Sequence, residues 1–554
     1  MKERMPTDIE RLRTRIYDAL DRGDMVSAKA DIELLRADEP AEAAGLLTAL
    51  AIECGTAEDA LAAWENCARH RSDDPYTIFL RARIHLMQGE RSTALLLLSP
   101  LMGRAMPAPV AEKVFNLAGR CARFLGHAED AVTFYAHARD AAPERALRLL
   151  NASNALFNRH YLPQTPREER AAAEEYGALL GDIVPFSHAS GGARGRLRIG
   201  YLSPDVREHV VLSFSYALMT GLDPVHFEVT VYALNAPDGY TEKVRQSVAG
   251  VRSLAHLSAE AAAETIYRDG IDILVDLAGH TAGMTLPILA HRPAPIQVSG
   301  IGYFASTGLS AVDYVLGDPY VDPQGMEERF TEQILRLPHT HLCFTPSERF
   351  QPYEHLRRVP HNPVIFASFN NFAKITDGML HLWAEILRRT PAARLLLKNT
   401  QPSEEVLARM RIRAERAGID MDRLTLRPAS KDYLRDYLEV DVVLDTHPYP
   451  GGGTTCEALF MGLPVVTMAG SRHGARFGAG LLHNVGLSEL AADCAQAYVE
   501  CAVALGTDME LLAALHAAIP RMMRASPLMD GIGYVRAVEA AYKTVWERYL
   551  NEET

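Results

Sequence analysis

The sequence predicts an all-α repeat domain followed by two α/β domains, each built on a doubly wound parallel sheet. A glycine–alanine spacing recurs through the first 150 residues, and from residue 196 short apolar segments alternate with helix-length segments, a pattern that starts again after Pro363. This alternation is typical of parallel sheets covered by helices on both faces. We therefore expect repeats at 1–150, a linker with a connecting helix at 151–195, and sheet domains at 196–350 and 360–554.

The repeats are predicted from four copies of one Gly-x4-Ala spacing. The copies begin at Gly23, Gly55, Gly89 and Gly126, so their glycines are 32, 34 and 37 residues apart. The last copy follows a tetratricopeptide pattern, in which a glycine turns the chain between two helices and small residues let those helices approach closely. Because such repeats stack into a solenoid whose concave face commonly holds an extended peptide, we expect a protein or peptide partner along them.

The linker and the two sheet domains are predicted from local patterns. Residues 161–166 break the helical pattern, and residues 167–180 are expected to form one helix before a Gly, Ser and Ala-rich stretch. The predicted strands are 197–202, 227–234, 273–278, 296–302 and 314–316, then 364–369, 394–397, 424–426, 442–444 and 464–468. The predicted helices include 259–268, 380–389, 404–417 and a C-terminal helix at 534–549, which we expect to pack on the first sheet domain.

Composition limits the classes of function. Hydrophobic residues make up 48% and charged residues 23% of the 554 residues, as in globular proteins, and the net charge of −13 disfavours nucleic acid or an anionic membrane as partner. The seven cysteines form no Cys-x-x-Cys pair and lie mostly in apolar patterns, and the N-terminus lacks an apolar core. We therefore expect a cytoplasmic protein, and a homo-oligomer is compatible with the sequence.

The segment 445–457 carries the most specific chemistry. Gly451, Gly452 and Gly453 lie between a predicted buried strand and a predicted helix, followed by Thr454 and Thr455. Glycines allow close approach of a ligand, and the free amides and dipole of a helix N-terminus favour an anion. Glu457, in the first turn, is suited to accept hydrogen bonds from a ribose. The segment predicts a nucleotide diphosphate site, with an ordinary Gly-rich turn as the alternative.

Six motifs in order over about residues 195–550 resemble the protein O-GlcNAc transferase family. They are 200–205 with His209, 290–297, 302–314 with Gly302, Tyr303, Gly308 and Asp313, 369–375, 445–455, and 462–467. The resemblance implies a two-Rossmann-domain (GT-B) glycosyltransferase, preceded by tetratricopeptide repeats that bind the protein acceptor. It also implies transfer of GlcNAc from UDP-GlcNAc to Ser or Thr, with inversion, without a metal and without a cofactor, since the UDP-sugar is a substrate.

The resemblance also assigns roles at the nucleotide end of the site. Lys374 would place its ammonium on the diphosphate and stabilise the leaving group, and Thr454 with Thr455 matches the phosphate-binding pair. Asn371 matches a Gln that contacts the diphosphate, and Lys431 matches a lysine that contacts the ribose. Glu457 stands for an Asp with the same ribose role. Gly453 and Tyr433 complete the expected UDP-sugar site, with the Tyr433 ring covering the uracil in place of a histidine.

At the sugar end, His209 matches a family histidine near the acceptor and the sugar. Its ordinary pKa suits either proton transfer or a hydrogen bond to the sugar, so the identity of the general base stays open. Tyr303 begins the loop expected near the sugar, where Ser306 and Thr307 are suited to hydrogen-bond it. No Asp-x-Asp pair accompanies these motifs, which favours a metal-free site.

Departures from the family pattern leave three functions open. Ala373 stands where animal members carry Tyr, Gly453 where they carry His, and His256 near the position of a proposed carboxylate base. The donor sugar is therefore less certain than the nucleotide. The alternatives to an O-GlcNAc transferase are a related enzyme with another nucleotide sugar or acceptor atom (an Asn amide, a Cys thiol or a flagellin hydroxyl), and a repeat scaffold with a decayed sugar site.

Overall fold

A computed structural model of the chain describes residues 6–188, 195–281, 285–401 and 403–552. The chain divides into two compact units. The first contains Met1–Ala155 with Ser403–Val406, and the second contains Leu156–Pro402 with Leu407–Thr554. Both parallel sheets lie in the second unit.

The N-terminal region is helical, as predicted. Its helices in the described residues are α1 (Pro6–Asp21), α2 (Met25–Leu35), α3 (Pro40–Cys54), α4 (Ala57–Arg71), α5 (Pro75–Met87), α6 (Arg91–Leu98), α7 (Ala108–Leu125), α8 (Ala128–Ala141) and α9 (Arg145–Arg159). Each predicted glycine lies in the turn between two paired helices, and Gly23, Gly89 and Gly126 have φ values of 71°, 82° and 83°. The four alanines of the spacing, Ala28, Ala60, Ala94 and Ala131, are fully buried. Small residues therefore bring the paired helices together, which confirms the repeat pattern.

The first sheet has seven parallel strands in the order β3-β2-β1-β4-β5-β6-β7. Its elements, with the preceding helix, are α10 (Pro166–Ala178), β1 (Leu197–Ser203), α11 (Val210–Thr220), β2 (Phe227–Ala233), α12 (Gly239–Arg245), β3 (Gly250–Ser253), α13 (Ala259–Asp269), β4 (Ile273–Asp276), α14 (Leu286–Ala290), β5 (Ile296–Ser299), β6 (Tyr314–Gly317) and β7 (Gln333–Arg336). The strand order reverses between β1 and β4, which are adjacent. This is the switch point of a doubly wound sheet, where ligands commonly bind.

The second sheet has six parallel strands in the order β10-β9-β8-β11-β12-β13. Its elements are β8 (Ile365–Ser368), α15 (Asp377–Arg389), β9 (Arg394–Lys398), α16 (Glu404–Arg416), β10 (Leu424–Arg427), β11 (Val442–Leu444), α17 (Gly453–Phe460), β12 (Val465–Met468), α18 (Phe477–Val485), β13 (Ala491–Ala492), α19 (Ala495–Thr507), α20 (Met509–Ala525) and α21 (Gly531–Glu552). Its switch point lies between β8 and β11. The two tandem parallel sheets confirm the predicted fold class.

The C-terminal helix α21 packs on the first sheet domain, which confirms that prediction. Its Tyr542 hydroxyl lies 3.3 Å from the Tyr201 hydroxyl on β1. Its Glu539 carboxylate accepts a hydrogen bond from the Asp223 amide at 2.7 Å. Both tyrosines are buried, so the contact is part of the core.

Two further findings concern helices and thiols. None of the described helices is by itself long and apolar enough to cross a bilayer, although α19 and α20 together pass by length and composition despite a 97° bend. All seven cysteines are free, and Cys67, Cys121, Cys343 and Cys456 are buried. The prediction of mostly buried thiols is confirmed for these four.

Candidate active site

The candidate site lies at the switch point of the second sheet. β8 ends at Ser368 and is followed by Asn370 to Lys374, while β11 ends at Leu444 and is followed by the glycine-threonine segment. The two strands are adjacent and parallel, so the loops at their carboxyl ends lie next to each other. A cavity of about 360 Å³ opens there. Its lining includes Asn371, Lys374, Lys398, Asn399, Tyr433, Tyr437, Gly453, Thr454 and Glu457.

A buried carboxylate, Asp445, shapes the loop after β11. Its Oδ1 accepts hydrogen bonds from the Gly451 amide at 2.7 Å and from Asn370 Nδ2 at 3.0 Å. Its Oδ2 accepts one from Thr467 Oγ1 at 2.8 Å. Burial raises the pKa of this carboxyl, and the hydrogen bonds oppose that rise by stabilising the charged form. Asp445 therefore ties the two loops together and turns the chain into α17.

Lys374 presents a cation to the cavity. Its Nζ donates to the Pro450 carbonyl at 2.9 Å and lies 3.8 Å from the centre of the Tyr449 ring. Burial lowers the pKa of this lysine to about 8, and attraction by Asp445 acts in the opposite direction. The side chain is still mostly charged at neutral pH, so it can attract an anion.

The two threonines occupy different positions at the start of α17. Thr454 lines the cavity, and its Oγ1 donates to Asn370 Oδ1 at 3.2 Å. Thr455 is buried, and its Oγ1 donates to the Gly451 carbonyl at 3.1 Å. The structure thus brings Thr454 to the cavity wall and places the Thr455 hydroxyl inside the first helical turn. At the first residue of the helix, Gly453, a Cβ would lie 2.6 Å from Val210 Cγ2, so a side chain there requires Val210 to move.

Glu457 is held by two tyrosines. The Tyr433 hydroxyl donates to its Oε1 at 2.6 Å, and the Tyr437 hydroxyl donates to its Oε2 at 3.1 Å. Burial raises the pKa of Glu457 to about 6, although both hydrogen bonds favour the charged form. Each carboxylate oxygen keeps a further lone pair, so the residue can still accept hydrogen bonds from a ligand hydroxyl.

His209 lies in an adjoining cavity of about 460 Å³, whose lining also includes Val210, Tyr433, Gly453 and Glu457. His209 caps α11, and its Nδ1 accepts the Val211 N–H at 3.3 Å. The same atom lies 3.5 Å from Asp205 Oδ2. Burial lowers the pKa of this histidine, and Asp205 opposes the shift while Arg207 adds to it.

Besides Thr455, four predicted residues line neither cavity. Lys431 is exposed and lines neither of them. Tyr303, Ser306 and Thr307 are buried. The Tyr303 hydroxyl lies 3.1 Å from His160 Nε2, while Ser306 Oγ donates to Glu332 at 2.8 Å and the Thr307 hydroxyl donates to the same carboxylate. Their predicted ligand roles stay predictions.

Sequence reasoning missed Lys398 at the carboxyl end of β9. This buried lysine forms an ion pair with Asp436 at 2.6 Å and donates to Ser430 Oγ at 2.9 Å. It lines the cavity together with Asn399. The signal was a polar pair directly after the apolar run 395–397, at the strand end where ligands bind.

The chain matches glycosyl transferase family 41 over residues 179–358 and 354–538. It belongs to this family, which confirms the family resemblance that the sequence motifs indicated.

Two plant proteins and one solved structure illustrate which known proteins resemble this chain. Proteins named probable UDP-N-acetylglucosamine–peptide N-acetylglucosaminyltransferase SPINDLY from Petunia hybrida and Solanum lycopersicum are both 38% identical to this chain, over 366 and 365 residues. These matches cover 64% of this chain and 39% of each relative, so the chain spans about two-fifths of the length of these curated relatives. A solved structure of a mutant O-GlcNAc transferase from Thermobaculum terrenum is 27% identical, with a TM-score of 0.77 and 100% coverage of both chains.

Proposed function

We propose that this chain is a protein glycosyltransferase that transfers GlcNAc from UDP-GlcNAc to Ser or Thr hydroxyls, with inversion and without a metal ion. The observation that carries this proposal is the meeting of the Lys374 ammonium and the first turn of α17 around one cavity at a sheet switch point. Family 41 membership supports glycosyl transfer. The names of the relatives, which specify UDP-N-acetylglucosamine and peptide, support the donor and the acceptor.

In this proposal the diphosphate lies between Lys374 and the amides that begin α17. As the bond from C1 of the sugar to the β-phosphate oxygen breaks, its electron pair moves to the diphosphate. A fixed ammonium and the positive end of a helix stabilise this charge because both are in place before the reaction. Thr454 adds a hydroxyl on the cavity side, and Asn371 lies at the cavity wall.

The nucleoside lies on the side of Glu457 and Tyr433. The Glu457 carboxylate, already oriented by Tyr433 and Tyr437, accepts hydrogen bonds from the ribose hydroxyls. Lys398 and Asn399 form the wall toward β9. Lys431 contributes to ribose binding only if its side chain turns inward from solvent.

The acceptor enters from the side of His209. Its hydroxyl oxygen attacks C1 from the face opposite the diphosphate, which inverts the configuration, and the hydroxyl proton is released. Because His209 Nδ1 accepts the Val211 N–H, the neutral ring carries its proton on Nε2. That proton suits a hydrogen bond to the sugar or the acceptor, and leaves the general base open.

A related transferase with another donor or acceptor is the second candidate. It is favoured by Gly453, which lines both cavities where animal family members carry a histidine. We would measure nucleotide release by purified protein with a panel of UDP- and GDP-sugars, then intact mass and fragment maps of co-expressed proteins. UDP release from UDP-GlcNAc with a HexNAc increment on Ser or Thr would support the first candidate. Another increment would support the second, and no release from any donor would indicate a scaffold.

We infer that the repeats select the acceptor. Binding energy remote from the reacting atoms can orient an acceptor hydroxyl over the sugar. Deleting residues 1–143 leaves α9 (Arg145–Arg159) whole and should keep donor hydrolysis within about threefold, while transfer to protein falls roughly tenfold or more. Equal loss of both activities would instead indicate a structural role.

Metal independence is also part of the proposal. A site that already holds a lysine and a helix terminus gains little from Mg²⁺ or Mn²⁺, which prefer carboxylate oxygens. Across the described ranges, no group of three or more His, Cys, Asp or Glu lies where it could hold a metal ion, but the proposal rests on Lys374 and α17. We expect transfer to persist in excess EDTA. Loss of activity in EDTA, with recovery on adding Mn²⁺, would contradict this mechanism.

We infer a cytoplasmic site of action from the thiols. All seven cysteines are free, and a reducing compartment keeps them so. Fractionation of the native host, with detection of the protein in each compartment, would test this inference.

A further inference from the structure

The ammonium of Lys374 has an aromatic partner. Besides the bond to the Pro450 carbonyl, it lies 3.8 Å from the centre of the Tyr449 ring, close enough for a cation–π interaction. The carboxylate that attracts it, Asp445, already accepts hydrogen bonds from the donors of Asn370, Thr446, Gly451 and Thr467. The Pro450 carbonyl and the Tyr449 ring face both contact the ammonium, and of the two the ring is a side chain that can be replaced.

Other rings of the same unit fix the Tyr449 ring. Its centroid lies 5.3 Å from that of Tyr161, 5.1 Å from Phe304 and 6.3 Å from Phe157. The interplanar angles of 59°, 52° and 69° show tilted and edge contacts. Such contacts favour a defined ring orientation, so Tyr449 offers Lys374 a fixed face.

An aromatic face suits a lysine that must bind an anion. A carboxylate at this place would pair with the ammonium and compete with an incoming diphosphate. The ring attracts the cation through its quadrupole but carries no charge to compete. One of the three N–H groups donates to the Pro450 carbonyl, and the ring face, unlike a carboxylate, offers no acceptor oxygen to occupy the others.

We propose that Tyr449 is a positioning residue for the leaving-group lysine, which its ring holds in place without neutralising it. This inference rests on the proposed function, because it takes Lys374 as the group that binds the diphosphate.

The test compares Tyr449→Phe with Tyr449→Leu. The phenylalanine keeps the face, so kcat/KM for the donor should stay within about threefold of the wild type. The leucine should lower it roughly 3- to 30-fold, and should move the alkaline limb of its pH profile down by about half to one unit, because the ammonium loses stabilisation. Asp445, which raises the pKa of Lys374, and Arg472, whose own pKa is raised by Tyr449, are present in every variant.

The matched control is Tyr320→Leu. Tyr320 is another half-buried tyrosine of this unit, stacked on His483 at 4.9 Å, and it lines neither cavity. We expect kcat/KM and the alkaline limb to stay unchanged in this variant. An unshifted limb in Tyr449→Leu, or a loss in Tyr449→Phe as large as in the leucine variant, would overturn the proposal.

Two further measurements keep the test decisive if the leucine variant does not fold or if the proposed function is wrong. If Tyr449→Leu does not fold, a series of fluorinated phenylalanines at position 449 weakens the ring quadrupole at nearly constant shape. Donor affinity should fall in step with fluorination, and a flat series would overturn the proposal. If the wild-type protein releases nucleotide from no donor, the proposed function itself is wrong. If the wild type is active and the substitutions at Tyr449 change neither kcat/KM nor the alkaline limb, only this inference is wrong.

Discussion

The two sheets use the same device at their switch points and put it to different use. Asp276 ends β4 and Asp445 follows β11, and each is a buried carboxylate that accepts amides from the loop after its strand. Each also accepts a hydrogen bond from a hydroxyl on the next strand along the chain. The donor is Ser299 at 3.2 Å in the first sheet and Thr467 at 2.8 Å in the second. Burial raises the pKa of both carboxyls.

The turns that the two carboxylates close differ in span and in what they leave open. Asp276 binds the amide three residues later, at Gly279, where a Cβ would lie 2.4 Å from Tyr303 Cβ, so the turn closes against a ring. Asp445 binds the amide six residues later, at Gly451. The extra residues include Tyr449 and Pro450, which hold Lys374 beside an open cavity. The span of the turn closed by the buried carboxylate thus separates a turn packed against a ring from a candidate binding site.

The largest expected effect comes from removing the cation that the second loop holds beside its cavity. Lys374→Ala should lower turnover by roughly 10²- to 10³-fold, since removing one preorganised contact to developing charge has about that effect. The melting temperature should change little, because this lysine lines a cavity. Lys543→Ala is the matched control, since Lys543 also lies over a ring, Phe227 at 5.4 Å, but lines neither cavity. Near wild-type turnover in Lys374→Ala would show that the leaving group lies elsewhere.

Removing the two carboxylates sharpens the comparison. Asp276→Ala and Asp445→Ala each leave several buried donors unsatisfied and should each lower the free energy of unfolding by about 2–4 kcal/mol. Only Asp445→Ala should also weaken donor binding, by about tenfold, because only its loop carries Pro450 and the start of α17. Chemical denaturation and calorimetric titration with the donor would measure both quantities. An equal loss of affinity in the two variants would mean that stability, and not loop geometry, controls binding.

Much of the fold could be predicted because its signals are local. The alternation of apolar strands and helices gave both sheets, and the glycine spacing gave the repeats. The strands β3, β7 and β13, edge strands of 4, 4 and 2 residues, were missed, whereas the fourth edge strand, β10, was predicted from the segment 424–426. The three missed segments carry too few apolar residues to indicate a strand by themselves, and a single segment does not encode the neighbour with which it pairs.

The candidate site was predictable only where its residues are contiguous. The segment 451–457 and Lys374 could be identified as short motifs, and the structure brings Lys374, Thr454 and Glu457 to one cavity. The partner of a polar side chain is a different matter, because it depends on long-range contacts. Ser306 and Thr307 bond to Glu332, which is 26 and 25 residues away. Asp445 joins Asn370 across 75 residues.

The smallest expected effect is the pH dependence of donor binding, which follows from the titration of the Lys374 ammonium. Burial lowers the pKa of Lys374 to about 8, so the ammonium is present below that pH and is lost as the pH rises through it. Donor binding favours the charged form, and affinity should therefore fall roughly threefold between pH 7.5 and 8.5. The sugar-substituted diphosphate of the donor does not change its charge over this interval, so calorimetric titration with the donor reports on the protein. Lys374→Arg keeps its charge and should bind with the same affinity at both values. A fall that persists in the arginine variant would assign the titration to another group.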